Sequence, residues 1–572
     1  MTIRFLSVIL VCCFGFSVAL ALPPVGDNVP KKKTKRSRSE VKISGFAVGP
    51  SRAALDTAVA RLSASSSFQT TLGGSKYRVI SSEYIDNGTP TPTRFRAVIY
   101  DYTNDRTYSA TGDAADNQPV LLNEEAFQPG RSDEEFAEAA SIVRSSTGLA
   151  DSFASGGLTT YEPMPPITVL NGTIERLVNV GILSNTGSVK HEIVGVSLKR
   201  SAVVHYPDGA PPSARAIGDV CGPPANIPGG PNGSGQIQIN ITQGSTSLWQ
   251  MLVSTPIGSS GTNGSGIELQ NVKYRGKSVF KRAHVPILDV QYAGNLCGPF
   301  RDWTNQQSAF SAPAAGATFP NVDINGGFII LADGQVATTV LETGDDGGNF
   351  RGVAIYRQNN ETVMVTEMGA GWYRYIMEWR FADDGTIKPR FGFGAVADSC
   401  TCNIHFHHAY WRFDFDVVNS ANNVFQVERG RKFLQPITTE MSGIKNFATN
   451  KRILVQNASG DEAYMLIPNL SDGKADAFAV ADIWVLRAKP PTGDPVTSEI
   501  DDGILLGQSA DPSIHISPWV NGESLVNQDV VVWYGAHFTH DDADFRALNS
   551  SRSGNIISGS HVVGPDLRPI RW

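Results

Sequence analysis

The chain has 572 residues, a formal net charge of −7 and only 18% charged residues, so its charge gives no support to nucleic-acid binding. Its length allows more than one domain. The 56 glycines and 33 prolines favour short strands joined by turns and argue against long helices.

The N-terminus predicts secretion. Arg4 precedes an apolar run over residues 5–20, and a small-x-small cleavage site ends at Ala21, so residues 1–21 are interpreted as a signal peptide, with a signal anchor as the alternative. No later stretch approaches 18 uninterrupted apolar residues, which predicts no further membrane span. An extracellular protein is also expected to be glycosylated at Asn-x-Ser/Thr sequons. The chain has these at Asn87, Asn171, Asn232, Asn240, Asn263, Asn360, Asn457, Asn469 and Asn549.

Residues 22–40 form a basic propeptide or linker, in which Lys35–Arg36 is a candidate processing site and a polyanion-binding arm is the alternative. Four cysteines remain after the signal, Cys221, Cys297, Cys400 and Cys402. An even number in an oxidising compartment favours two disulfides, with three possible pairings. A metal site at the last two cysteines stays open because His405 follows closely.

Residues 41–206 mix helical and strand-like patterns and predict one or two small α/β N-terminal domains. Helices are expected at residues 51–65 and 133–145, and strands at residues 94–102, 174–183 and 191–205. Residues 207–235 are rich in glycine and proline and are interpreted as a linker.

Residues 236–572 predict a mainly β domain, a large antiparallel sandwich or barrel-like structure. Short strand-like runs recur there and are separated by glycine, asparagine and aspartate. They are residues 236–241, 327–331, 362–367, 373–381, 405–417, 451–455, 480–486 and 529–533. No period of 20–50 residues repeats, which excludes a propeller or solenoid.

Two histidine-containing strands suggest a metal site. His405 and His407 are two residues apart, so on a strand they project from one face while His408 points away. Two imidazoles on one strand can form half of a copper or zinc site, and a solvated polar face is the alternative. A second apolar strand, residues 529–534, is followed by His537 and His540.

Together these stretches resemble the catalytic domain of the copper amine oxidases, the quinone-containing primary-amine oxidases. His407 precedes Arg412 by five residues, residues 412–417 match the family's Arg-x-Asp-x-Asp-Val segment, and residues 529–534 match its Asp-Ile-Val-x-Trp-Tyr strand. The resemblance extends with gaps from about Gly266 to the C-terminus. It implies that His405, His407 and His540 bind copper(II), with His540 preferred over His537.

The same segments imply a peripheral calcium-like ion. Asp414, Asp416 and Asp529 stand at the family's carboxylate positions, and Phe415 and Val530 would offer backbone carbonyls. Hard oxygen ligands suit calcium. Acidic residues that cap the strands are the alternative.

The resemblance also implies topaquinone, a cofactor that the family makes from one of its own tyrosines. Tyr373 falls at that position and Tyr375 at the family's second tyrosine. Three residues depart from the family's Thr-x-x-Asn-Tyr-Asp/Glu-Tyr pattern, since Gly369, Trp372 and Arg374 replace the threonine, the asparagine and the acid. An unmodified Tyr373 is therefore the alternative.

Amine oxidation needs a carboxylate that removes a proton from the carbon next to the nitrogen. Asp302 is the candidate base and Asp289 the second choice. The resemblance implies a small primary amine and O2 as substrates and a homodimer as the assembly. The family's disulfide between the base and the tyrosine has no counterpart here, which indicates a divergent member.

Two other functions stay open at this point. One is a copper-binding relative without catalysis, which the altered surroundings of Tyr373 would explain. The other is a copper oxidase without quinone that uses Tyr373 or Tyr375 near the metal.

Overall fold

The computed structural model describes part of the chain in detail. The described residues are 40–47, 52–84, 93–114, 120–125, 129, 131–161, 169–170, 173–174, 176–184, 192–205, 235–260, 264–292, 300–301, 306–313, 327–370, 372–396, 405–428, 434–446, 448–469, 472, 481–488, 516, 519–540 and 563–572. The predicted signal peptide, residues 207–234 of the predicted linker, and Cys221, Cys297, Cys400 and Cys402 lie outside these ranges.

The N-terminal part of the described chain mixes helices and strands, as predicted. Its helices are α1 (Arg52–Ala60), α2 (Ser66–Leu72), α3 (Asp133–Arg144) and α4 (Ala150–Ala154), with a 3-10 turn at Leu62–Ala64. Its strands are β1 (Val41–Ala47), β2 (Tyr77–Tyr84), β3 (Arg94–Asp101), β4 (Arg106–Asp113), β5 (Leu121–Glu125), β6 (Leu158–Tyr161), β7 (Val169–Leu170), β8 (Thr173–Ile174), β9 (Val178–Ser184), β10 (Glu192–Ser197) and β11 (Ala202–Val204).

The part that follows residue 235 is built almost entirely of strands. They are β12 (Gln236–Gln243), β13 (Thr246–Ser254), β14 (Glu268–Tyr274), β15 (Lys277–Tyr292), β16 (Phe300–Arg301), β17 (Phe328–Ile330), β18 (Val353–Gln358), β19 (Glu361–Ala370), β20 (Tyr373–Ala382), β21 (Ile387–Ala395), β22 (His405–Phe415), β23 (Asn422–Val427), β24 (Gln435–Ile437), β25 (Met441–Gly443), β26 (Arg452–Asn457), β27 (Ala463–Ile467), β28 (Ile483–Arg487), β29 (Val530–His540) and β30 (Asp566–Arg571). The helical elements described there are α5 (Val340–Thr343) and a 3-10 turn at Pro256–Gly258.

Two four-stranded sheets carry the N-terminal helices. The first has the order β2-β3-β4-β5 and the second β11-β10-β9-β6. The helix predicted at 51–65 ends at Ala60 and is followed by the 3-10 turn. Ser65 is extended and its side chain accepts a hydrogen bond from the Phe68 N–H, which begins α2. The helix predicted at 133–145 is confirmed as α3, and it begins with a capping box formed by Ser132 and Glu135.

Two ten-stranded sheets form the main body. The first has the order β1-β12-β13-β14-β15-β22-β29-β28-β25, with β16 paired to β15. The second has the order β17-β18-β19-β20-β21-β30-β27-β26-β23-β24. Apart from the parallel β17–β18 pair, the recorded ladders are antiparallel. The predicted mainly β fold with a large antiparallel sandwich is thereby confirmed, and β1 joins its edge by pairing with β12.

The inner faces of the two large sheets share one apolar core. Alternate residues of β22, such as Trp411 and Phe413, and alternate residues of β20, such as Met377 and Trp379, pack in it. Trp379 meets Trp411 edge to face, with ring centroids 5.2 Å apart. This packing fixes which residues of β20 and β22 face one another.

The turn between β20 and β21 needs its glycine. Gly385 has φ +95°, and a Cβ there would lie 2.5 Å from Cε1 of Tyr274. The Tyr464 hydroxyl also donates to the Gly385 carbonyl at 2.9 Å. The turn joins β20 to β21, in which Ala395 and Phe393 stand opposite Tyr373 and Tyr375.

Each strand-like run predicted beyond residue 235 contains a strand, and β29 extends well past the predicted 529–533 to His540. The predicted division into domains stays a prediction. Among the described residues, no helix combines the length and apolar character needed to cross a membrane.

Glu367 is a buried carboxyl group on the outer side of the second large sheet. It lies in β19 and accepts a hydrogen bond from the Val340 N–H at 2.9 Å. Burial raises the pKa of Glu367 to about 8, although the Arg374 charge acts in the opposite direction. The folded chain therefore holds this proton at pH values where an unfolded chain has lost it.

We predict that Glu367→Gln removes a pH dependence of stability. Since the folded-state pKa is raised, the free energy of unfolding of the natural chain falls as pH rises from the unfolded-state pKa to about 8, by up to about 1.4 kcal/mol per pH unit. Urea unfolding at several pH values should therefore show the variant gaining stability relative to the natural chain as pH rises. Glu378→Gln, which removes a half-buried carboxylate paired with Arg380, is the control. A stability difference that does not change with pH would contradict the assignment.

Candidate metal centre

The strands β22 and β29 lie side by side in the first large sheet and pair without a register shift. His405 stands opposite His540, and His407 stands opposite Phe538. Residues directly opposite each other share a face, so positions 405, 407 and 540 lie on the inner face of the sheet. The side chains of His405 and His540 lie outside the described structure, and their role as ligands stays a prediction based on this register.

His407 is fully buried among aromatic rings of the opposite sheet. Its ring centroid is 4.1 Å from that of Phe393 and 5.2 Å from that of Tyr373. The hydroxyl of Tyr375 lies 3.3 Å from Nδ1 of His407. The structure therefore brings together one predicted ligand and both tyrosines of the predicted cofactor segment.

The predicted cofactor tyrosine is the first residue of β20 and faces the core. Tyr373 has no exposed surface, and Trp372 packs edge-on against it with ring centroids 6.1 Å apart. Arg374 lies on the other face of β20, where it pairs with Asp346 at 2.6 Å and donates to the Tyr373 carbonyl at 2.9 Å. The positive charge of Arg374, which replaces the family's acid, is thus paired with Asp346 on the face of β20 away from His407.

The backbone register bears on the choice between the two predicted bases. Asp302 lies outside the described residues, as does the side chain of Asp289. In the backbone register Asp289 stands opposite His408, whereas Val290 stands opposite His407. Position 289 therefore belongs to the face of the sheet away from His407, which favours Asp302 as the candidate to test first.

A second histidine pair lies on that outer face. His408 and His537 stand opposite each other, both buried, with their Nδ1 atoms 2.8 Å apart. Nε2 of His537 lies 2.9 Å from Oδ1 of Asp482. Burial and the neighbouring His537 hold the pKa of His408 well below its usual value, so this imidazole is neutral. A proton shared between the two Nδ1 atoms joins His408 to His537 and so ties the two strands together.

Sequence reasoning missed the partners of this pair. Lys445 donates to the Gly535 carbonyl at 2.8 Å and lies 3.8 Å from Asp482, and both charged side chains are buried. Gly535 is required there, since a Cβ would lie 2.8 Å from Nε2 of His537. The sequence indicated only that His537 and His540 lie on opposite faces of the strand, because they are an odd number of residues apart.

The predicted peripheral site is a compact cluster of carboxylates. Ligand oxygens of Asp414, Asp416 and Asp529 lie within 4.8 Å of one another. Each of the three has a buried Oδ1 for which no hydrogen-bond partner is found among the described residues. Phe415 and Val530, the predicted carbonyl donors, stand opposite each other between them.

Electrostatics at this cluster favour a cation. Burial and the charge of Asp414 raise the pKa of Asp416 to about 6. Burial and both neighbouring carboxylates raise the pKa of Asp529 to about 7. Three crowded, partly desolvated oxygen donors suit a hard divalent ion such as calcium, which would relieve their repulsion.

We predict that saturating calcium raises the melting temperature of the metal-stripped protein by several degrees, because the ion binds only the folded cluster. Asp529→Asn should abolish most of this rise by removing one of three carboxylates. Asp383→Asn, which removes a carboxylate paired with Arg357, should keep it. Equal calcium stabilisation of the natural chain and the Asp529 variant in thermal denaturation would refute the site.

The two histidine faces predict opposite effects on copper. Elemental analysis of folded protein should find that His407→Ala loses stoichiometric copper, because an inner-face ligand is removed. His408→Gln should keep copper but lose about 1–3 kcal/mol of stability, because a buried hydrogen bond to His537 is disturbed. Copper loss in a folded His408 variant would show that the ligand set is wrong.

Comparison with solved structures finds related folds over nearly the whole chain. One match is a copper-containing benzylamine oxidase from Hansenula polymorpha, which is 13% identical in sequence. The superposition covers 93% of this chain and 93% of the oxidase, with a TM-score of 0.55. The amine oxidase of Aspergillus nidulans is 13% identical, covers 92% of this chain and 88% of its own, and has a TM-score of 0.51. No protein-family model and no curated protein sequence matches. At this identity the similarity establishes that the chain has a fold similar to that of copper amine oxidases.

Proposed function

We propose that this chain is a secreted copper- and quinone-dependent primary-amine oxidase, a divergent member of the copper amine oxidase family. The observation that carries the proposal is the meeting of two strands across the core. β22 brings His407, and β20 brings Tyr373 with its ring centroid 5.2 Å away. A predicted metal ligand and the predicted cofactor tyrosine thus lie side by side.

The donor set suits copper. Three imidazole positions, His405, His407 and His540, lie on one face of adjacent strands. Imidazole is a preferred ligand of copper(II), and a buried aromatic surrounding restricts solvent at the ion. With O2 as the oxidant, bound copper would supply the redox chemistry that converts Tyr373 into the quinone, which would take electrons from the amine and return them to O2.

The protein's own side chains would orient the reactants and move a proton. Phe393 and Trp372 both contact the Tyr373 ring edge-on, which holds the ring in place and excludes water. Asp302 would take the proton from the carbon next to the amine nitrogen. The overall reaction converts a primary amine, O2 and water into an aldehyde, ammonia and hydrogen peroxide.

A copper-binding protein without catalysis is the second candidate. The observation that favours it is the enclosure of Tyr373, which has no exposed surface and lies under a tryptophan that is 2% exposed. Such packing protects a ring from reagents as well as from water. In this case the copper would serve structure or interaction.

Secretion, a homodimeric assembly and the calcium-like ion belong to the same proposal.

Among the sequons in the described part, Asn360 lies exposed in the β18–β19 turn, where a glycan can be carried. Asn457 is buried and its side chain donates to Glu462. Glycosylation is therefore expected at Asn360 and not at Asn457.

Phenylhydrazine, a reagent for carbonyls, separates the two candidate functions. We predict that copper-loaded, aerobically incubated protein gains a hydrazone on the peptide that contains Tyr373, found by peptide mass mapping. Tyr373→Phe should lose this adduct, whereas Tyr464→Phe, which alters a buried tyrosine elsewhere in the sandwich, should keep it. A Tyr373 peptide with the mass of ordinary tyrosine, carrying neither the hydrazone nor an unreacted quinone, in protein that holds stoichiometric copper would exclude the oxidase and leave the copper-binding candidate.

A further inference from the structure

The hydroxyl of Tyr375 contacts a predicted metal ligand across the core. It lies 3.3 Å from Nδ1 of His407, and both side chains are fully buried. Tyr375 belongs to β20 in the second large sheet and His407 to β22 in the first. One hydrogen bond thus joins a predicted metal ligand to the strand that carries the predicted cofactor tyrosine.

The ring of Tyr375 is held by its own sheet. Its centroid lies 5.5 Å from that of Phe391 and 5.7 Å from that of Tyr373. Its backbone pairs with Met368 on one side and Phe393 on the other. The phenol oxygen therefore has a fixed position that does not depend on His407.

A fixed acceptor matters to an imidazole that binds a metal. A neutral imidazole coordinates through one nitrogen and carries its proton on the other, and that N–H needs a partner when it is buried. With Nδ1 directed at Tyr375, His407 would coordinate through Nε2 and donate its Nδ1–H to the phenol oxygen. Such outer hydrogen bonds fix the ring orientation and raise the basicity of the ligand.

We propose that Tyr375 is a positioning residue for the metal centre, which sets the tautomer and ring orientation of His407 from the opposite sheet. The inference rests on the proposed copper site and adds a role that is separate from cofactor formation. The two tyrosines of β20 then have different tasks. Tyr373 is the residue to be oxidised, and Tyr375 is the hydrogen-bond acceptor for a ligand.

The test uses the full chain, stripped of metal and titrated with copper(II) against a competing chelator. Tyr375→Phe removes only the acceptor oxygen and should weaken copper binding by about 10- to 100-fold. Tyr464→Phe is the matched control, since it deletes an equally buried hydroxyl whose partner is the Gly385 carbonyl. The control should lose similar stability and keep the copper affinity of the natural chain.

A spectroscopic readout separates positioning from a general loss of structure. Electron spin-echo envelope modulation of the copper(II) form detects the remote nitrogen of a coordinated imidazole. Its quadrupole coupling should change in Tyr375→Phe and stay unchanged in Tyr464→Phe. If Tyr375→Phe does not fold, 3,5-difluorotyrosine at position 375 is measured at a pH below the lowered pKa of its phenol, where it keeps the oxygen but makes it a weaker acceptor, and a smaller loss of copper affinity is expected.

Copper affinity and remote-nitrogen coupling that match the natural chain in the folded variant would overturn the inference. So would a natural chain that binds no copper. A different result sinks only the enzymatic proposal, namely weakened copper in Tyr375→Phe together with no phenylhydrazine adduct in the natural chain. In that outcome the positioning role stands in a protein that binds copper without oxidising amines.

Discussion

The shift-free pairing of β22 with β29 is the constraint on which the rest of the site depends. A slip of one residue would move every side chain of one strand to the other face, so His407 and its partner position would no longer lie together. The pair His408–His537 on the outer face opposes such a slip, because two buried imidazoles at 2.8 Å tolerate little displacement. At the other end of the same ladder, Phe415 stands opposite Val530, which brings the aspartates around them into one cluster. One register therefore sets the inner histidine face, the outer histidine pair and the acidic cluster together.

Aromatic packing between the two sheets is the second constraint that positions the residues of the site. The register within the first sheet places His407 on the inner face but does not decide what it meets. That is decided by the second sheet, where the contact between Trp379 and Trp411 aligns β20 with β22. Tyr373 and Tyr375 then face His407 because they alternate with Trp379 along the same strand. The site is thus a property of the sandwich, and neither sheet forms it alone.

The sequence predicted the elements better than it predicted their partners. Alternation in the segment around His407 was enough to separate His405 and His407 from His408, and the acidic positions could be placed by resemblance. The strand β15 was not predicted, because Pro286 interrupts its alternating pattern. The ladder between β15 and β22 shifts its register between His284 and Ile287. The contacts of His537 with Asp482 and of Tyr375 with His407 join residues far apart in the chain, so no local pattern announces them. The side chains of His405 and His540 lie beyond what the structure describes, and here the prediction rests on backbone register.

The departures from the family's tyrosine motif take on a different meaning in three dimensions. A positive charge at Arg374 looked like a change in the electrostatics of the cofactor, yet Arg374 lies on the outer side of β20 in a two-point contact with Asp346. The opposite charges of a buried ion pair largely cancel at a distance, so the electrostatic effect of Arg374 at His407 is small. Trp372 differs, since its ring touches the core directly at Tyr373. Of the replaced residues, the tryptophan therefore changes the surroundings of the tyrosine by packing, whereas the arginine is neutralised where it stands. These two differences from the family's motif therefore bear on the packing around Tyr373 more than on its charge.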